Sequence, residues 1–331
     1  MRLLLLTLLI GLAISLLPYG AYAQYATEMT VAPDGTGDFK SIQSAIDSCK
    51  AFPDKRITIF VKNGIYNEKV RVPSFNTQLS IIGESVEKTI ISYNDNFAKI
   101  NRGRNSTFYS YSLLIEASDF IMENITVENT SGPVGQAIAL HVEGDRCVFR
   151  NCRFTGNQDT VYAGGKFSRQ YFLNCYIEGT TDFIFGEATA LFENCTIHCK
   201  SDSFITASGT TEGKPYGFVF LNCKLTAADG VKLVYLGRPW RSYAKVAFLN
   251  CEMGSFISPE GWSYWSKNNS IKRVKFVEYN NFGPGADIRK RVAWSHKLNK
   301  KEVSTYNKER IFAPLGWEIS SGKKWFDPDY K

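Results

Sequence analysis

Phe149-Arg-Asn-Cys-Arg-Phe154 is echoed by Phe172-Leu-Asn-Cys-Tyr-Ile177, Phe192-Glu-Asn-Cys-Thr-Ile197, Phe220-Leu-Asn-Cys-Lys-Leu225 and Phe248-Leu-Asn-Cys-Glu-Met253. The shared phrase is Phe, any residue, Asn, Cys, any residue, large apolar, and its cysteines step by 23, 20, 28 and 28 residues. Repeats of this length, rich in short β-type segments and poor in helical periodicity, predict the coils of a parallel β-helix. Within each copy the Cys and the apolar residue two positions later share one face of a strand, and the Asn suits a bend just before them. A buried stack of small side chains is expected, with an Asn ladder satisfying the turn backbones. Met122-Glu-Asn-Ile-Thr-Val127 is a degenerate copy, with Ile125 in place of Cys.

A repeat is also a ruler. Asp159 lies seven residues past Cys152, and Asp182 lies seven past Cys175. If equivalent positions stack, the two aspartates sit one strand spacing apart, roughly 4.8 Å between backbones. Like charges that close push one pKa up and the other down. Such a pair supplies a protonated acid and an ionised carboxylate at the same pH. Leu236-Gly-Arg-Pro-Trp240 offers Arg238, held between Gly237 and Pro239, as the cation that selects which Asp stays ionised. Gln136-Ala-Ile-Ala-Leu140 places an amide one coil before Gln158, and two uncharged amides suit an oxyanion better than a metal. His141, His198 and His296 are scattered, so a His-based triad or zinc site lacks parts.

The rest of the chain sets bounds. Of 331 residues the first 23 read as a removable leader: Arg2, an apolar run from Leu3 to Leu17, and Ala21-Tyr-Ala23 as a small-x-small cleavage site before Gln24. The run is short of the ~20 residues a spanning helix needs, so no membrane span is expected in the mature protein. Residues 24–331 carry no linker or composition break and read as one domain, a monomer delivered to the exterior, the periplasm or the cell surface. The net charge of +7, or +6 once Arg2 is lost, suits an anionic partner such as an acidic polysaccharide. No Lys/Arg block interleaved with aromatics suggests nucleic acid. Neighbouring coils would bring the phrase cysteines within disulfide reach without requiring a bridge, and Cys49, Cys147 and Cys199 stay open. Ile42, Ala45, Ile46 and Cys49 predict a helix over 41–50 that covers the open end of the solenoid. After Met253 the pattern thins into long loops and a partly helical tail packed along the barrel. Asn-x-Ser/Thr sites occur at Asn105, Asn124, Asn129, Asn194 and Asn268.

Gly64-Ile-Tyr-Asn-Glu68, Gln136-Ala-Ile-Ala-Leu140, Gln158-Asp-Thr-Val-Tyr162, Asp182-Phe-Ile-Phe-Gly186 and Leu236-Gly-Arg-Pro-Trp240, taken together and in this order, resemble the signature set of pectin methylesterases. Val161 stands where that family often has Leu, and Thr181 where Val is common; neither is a reacting group. The resemblance implies a right-handed, single-stranded parallel β-helix that hydrolyses galacturonate methyl esters in homogalacturonan without a metal or other cofactor. It makes Asp182 the nucleophile, Asp159 the acid and then base, Gln136 and Gln158 the oxyanion donors, and Arg238 the partner that orients Asp182. Trp240, Tyr162, Phe183 and Trp262 would line the sugar subsites. Repetition alone leaves two rivals, a depolymerising pectin lyase or glycosidase on the same fold, and a non-catalytic carbohydrate-binding β-helix.

Overall fold

A computed structural model describes residues 25–266, 270–313 and 324–327. The leader and the Asn268 site lie outside the described residues. The coils build three parallel sheets, of 11, 7 and 8 strands; a central coil contributes one short strand to each, and every strand inside a sheet pairs with its counterparts on the coils before and after. One coil shows the plan: Cys147–Arg150 lies in the first sheet, Arg153–Thr155 in the third and Val161–Ala163 in the second. This is the expected all-β, right-handed parallel β-helix. Among the described residues no helix is long and apolar enough to cross a membrane.

The repeated phrase builds one corner and much of the core. Its Phe is the penultimate residue of a first-sheet strand and points inward. Phe149, Phe172, Phe192, Phe220 and Phe248 stack with ring centroids 4.6, 4.6, 4.6 and 4.3 Å apart. Each fully buried ring contributes roughly 1.5–3 kcal/mol. The Asn then turns the chain into the third sheet: Asn124, Asn151, Asn174, Asn194, Asn222, Asn250 and Asn280 all have φ between 49° and 56°. Asn tolerates this left-handed conformation better than other chiral residues. The ladder differs from the expected one in its partners. Asn151 Nδ2 donates to Asn124 Oδ1 at 2.6 Å, and Asn280 Nδ2 to Asn250 Oδ1 at 3.0 Å. The bend N–H groups go instead to carbonyls of the next coil, as Asn151 N does to Leu173 O. Strand-like pairing therefore continues through the corner and leaves the amides to bond one another.

All eight cysteines are free thiols. Cys152, Cys175, Cys195, Cys223 and Cys251 are buried in the interior, and their Sγ atoms donate to backbone carbonyls, as Cys175 does to Phe149 O at 3.5 Å. The predicted helix spans Ile42–Ser48, capped by the Ser41 side chain, with Ile42, Ala45 and Ile46 in the core. Glu68 explains the Gly64–Glu68 motif in structural terms: its carboxylate accepts from Ile42 N and Gln43 N at 2.7 and 2.9 Å, fastening this cap. In the tail, short helices at Lys300–Val303 and Lys308–Ile311 lead to Phe312, Trp325 and Phe326, which cover the outer face of the first sheet. The segment Phe97–Tyr109 is helical, and the repeat gave no sign of it. Asn129 is a poor acceptor for a glycan, since it is buried and its Nδ2 donates to Asp95, Ser110 and Ile138 carbonyls.

Candidate active site

The outer face of the second sheet carries an aromatic floor separate from the core, and the ruler holds there. Val161 pairs with Ile184 and Tyr162 with Phe185, so Asp159 and Asp182, two residues before each strand, occupy equivalent positions on adjacent coils. Both adopt left-handed backbone, with φ 66° and 49°. Their N–H groups remain in the ladder, donating to Thr181 O and Phe204 O at 3.1 and 2.8 Å. Only 8 % and 4 % of these residues is exposed.

Arg238 reaches them from strand Tyr235–Pro239, two coils beyond Asp182. Its Nε donates to Asp182 Oδ1 at 3.0 Å and its Nη2 to Oδ2 at 2.6 Å, a bidentate pair. Gly237 is required beside it, because a Cβ there would meet Thr206 Oγ1 at 1.9 Å. Gln136 and Gln158 are joined by a parallel bridge on the two coils before Asp182. Gln158 adjoins Asp159 directly, and neither side-chain amide bonds a described residue.

The two carboxyls are electrostatically unequal. Burial pushes Asp159 well above the usual carboxylate range; the charge of Asp182 adds to this and Arg238 opposes it. Burial also raises Asp182; the hydrogen bonds and charge of Arg238 pull it back only in part. Both carboxyls thus lie above the usual range, Asp159 further, where one was expected to fall below it. Asp159 therefore holds its proton at a pH where Asp182 is ionised. Among the described residues, no group of three or more His, Cys, Asp or Glu is placed to hold a metal ion.

The family model for pectinesterases matches residues 28–313. The chain belongs to the pectinesterase family. It is 41% identical over 284 residues to pectinesterase 31 of Arabidopsis thaliana, covering 83% of this chain and 89% of that one. It is 37% identical over 313 residues to pectinesterase 4 of the same plant, covering 90% of this chain but only 53% of that relative. Among solved structures, pectin methylesterase from carrot superposes with a TM-score of 0.81 at 29% identity, over 89% of this chain and 95% of that one. A pectin methylesterase in complex with a hexasaccharide gives 0.75 at 27% identity, over 89% and 99%.

In this pectinesterase the outer floor is aromatic, but not in the way the sequence suggests. Tyr162, Phe185 and Ala207 form an outer apolar cluster with Phe108, Tyr111, Trp240 and Trp265. Tyr162 lies 4.9 Å from Phe185 and 5.1 Å from Phe108, and its hydroxyl donates to Glu187 Oε2 at 3.0 Å. Trp240 closes the row, 6.0 Å from Phe185. Phe183 and Trp262, expected as sugar contacts, are both 0 % exposed and belong to the interior. Phe183 follows the left-handed bend at Asp182 and fills the corner below it. Trp262 packs against Phe248 and Phe276 at 5.8 and 4.6 Å, its Nε1 donating to Glu278 Oε1. Their outward counterparts are Phe185 and Trp265. Phe185 was readable, being the register partner of Tyr162; Trp265 sits in a loop with no periodicity to orient it.

Proposed function

We propose that this chain hydrolyses the methyl esters of galacturonate units in pectin, giving pectate and methanol, with the aspartate pair as its chemical centre. The observation that carries the reading is the in-register pair of buried carboxyls with Arg238 chelating only one of them. Ionised Asp182 attacks the ester carbonyl, and negative charge moves to the carbonyl oxygen, where the amides of Gln136 and Gln158 donate to it. Asp159 gives its proton to the departing methoxyl oxygen, which leaves as methanol and an acyl anhydride on Asp182. Asp159, now ionised, takes a proton from water as the hydroxyl adds to the anhydride carbonyl; collapse releases the product, restores Asp182 and leaves Asp159 protonated. The product leaves the intermediate as the uronic acid and becomes the uronate by losing its proton to solvent. Trp240 offers a ring face for a sugar, braced through Phe185 by Tyr162, which is only 6 % exposed and packs beneath the surface, and the hexasaccharide in the related structure supports a site several units long. Residues 1–23 act as an export leader, and the protein works outside the cytoplasm as a monomer.

Asp182→Ala should abolish methanol release from highly methylated pectin while the circular dichroism and unfolding midpoint stay close to wild type. Full activity in that variant would remove the nucleophile from the scheme. Loss of pectin viscosity with no methanol released would point to depolymerisation instead.

A further inference from the structure

Arg238 carries five N–H donors. Among the described residues the only hydrogen bonds of its side chain are the two to Asp182. A long side chain held at one end by two bonds retains torsional freedom, and that freedom would blur the position of the carboxylate it chelates. What fixes its plane is aromatic. The guanidinium carbon lies 4.1 Å from the Phe204 ring centroid and 4.3 Å from that of Trp265, both inside the ~6 Å range of cation–π attraction.

The register explains why Phe204 is the residue beneath it. Phe204 occupies the coil between Asp182 and Arg238, its carbonyl accepting from Asp182 N and its Cα pairing with Tyr235. The guanidinium therefore crosses over the Phe204 ring on its way back to the carboxylate. Tyr235 stacks against Phe204 at 5.4 Å and 27°, bracing the platform. Ala207, the register partner of Arg238, presents only a methyl group along the path. Trp265 comes from a separate segment, just beyond the bridge between Gly237 and Trp262.

We propose that Phe204 and Trp265 are positioning residues: an aromatic clamp that holds the Arg238 plane and, through it, the orientation and ionisation of Asp182. The proposal rests on the esterase reading above. The two rings bring no charge of their own, so the charged groups facing Asp182 are Asp159 on the preceding coil and Arg238. Ring faces attract the cation without accepting its hydrogen bonds, and they exclude water that would weaken the ion pair.

Steady-state methanol release as a function of pH tests this. Phe204→Leu should lower kcat about tenfold with KM changed less than about twofold. The acid limb of its kcat/KM profile should move to higher pH, because a loosened Arg238 lets Asp182 bind a proton sooner. Phe204→Tyr retains a ring face and should restore both quantities. Trp265→Leu should move the acid limb in the same direction, and unfolding midpoints show that each variant is folded at the assay temperature. An unmoved limb and wild-type kcat in Phe204→Leu, or a Phe204→Tyr variant as impaired as the Leu one, overturns the clamp. Failure of the esterase reading itself looks different: no methanol from wild type, or full activity in Asp182→Asn.

Discussion

Two buried ion pairs in this molecule are built on opposite plans. At the C-terminal end of the barrel Arg291 bonds both oxygens of Glu278 and also donates to the carbonyls of Ser258, Pro259 and Gly285. Glu278 receives further bonds from Trp262 Nε1 and Asn281 Nδ2. At the candidate site the Arg238 guanidinium bonds Asp182 and nothing else among the described residues, and rings stand where carbonyls stand around Arg291. A structural pair is saturated, so that no lone pair or donor is left for a visitor. The catalytic pair is held in place yet left partly unsatisfied, which keeps its carboxylate available for a bond to carbon.

Substitutions at the two pairs have opposite expected consequences. Of the variants that leave the Asp182–Arg238 pair intact, Asp159→Asn is expected to have the largest effect, because it removes the transferable proton. Methanol release should fall by about 10²–10⁴-fold, read at saturating pectin; a loss under threefold would show that Asp159 is not the acid. Arg291→Met should leave Glu278 buried without a cation and cost about 3–5 kcal/mol in urea unfolding, with turnover per folded molecule unchanged. Reduced turnover at full stability would contradict its assignment as structural.

The two tryptophans extend the same contrast. Trp262→Ala should cost about 3–5 kcal/mol through the cavity it leaves without raising KM. Trp240→Ala, on the outer floor, should raise KM several-fold while stability changes by about 0.5 kcal/mol or less. The reverse pattern would put Trp262 back among the sugar contacts.

The smallest effect is a pH-linked one. Asp159 has its folded pKa raised, so the folded state binds its proton more tightly than the unfolded chain does. The stability from this group is fully present below the unfolded Asp pKa, near 3.9, and is lost as pH rises toward the folded value. Asp159→Asn should therefore unfold at higher urea than wild type at neutral pH, and the gap should close on acidification below about pH 4. A gap independent of pH would show that Asp159 is not strained by burial.

Much of this was legible because a solenoid converts sequence spacing into distance. The Phe, Asn and Cys of the repeated phrase announce the corner, and the same offset locates Asp159 over Asp182. Legibility failed where the ruler has nothing to measure. Phe97–Tyr109 departs from the repeat altogether. Phe183 was misplaced because the alternation of sides restarts at the left-handed aspartate before it. Trp262 and Trp265 are chemically identical in sequence, and only the strand-like bridge from Trp262 to Gly237 sends one of them inside. The Phe204 platform was invisible for another reason: it depends on an arginine skipping a coil, a relation that no local spacing contains.

Eight unbonded thiols, five of them in one interior file, have a consequence for how this protein is made. A chain that must choose among roughly a hundred possible cystine connectivities needs an oxidant and an isomerase. This one asks for neither. Its coils are sorted by strand pairing and by the stacked side chains of the repeat, not by cystines, so denatured chain diluted into buffer with excess reductant should regain its activity.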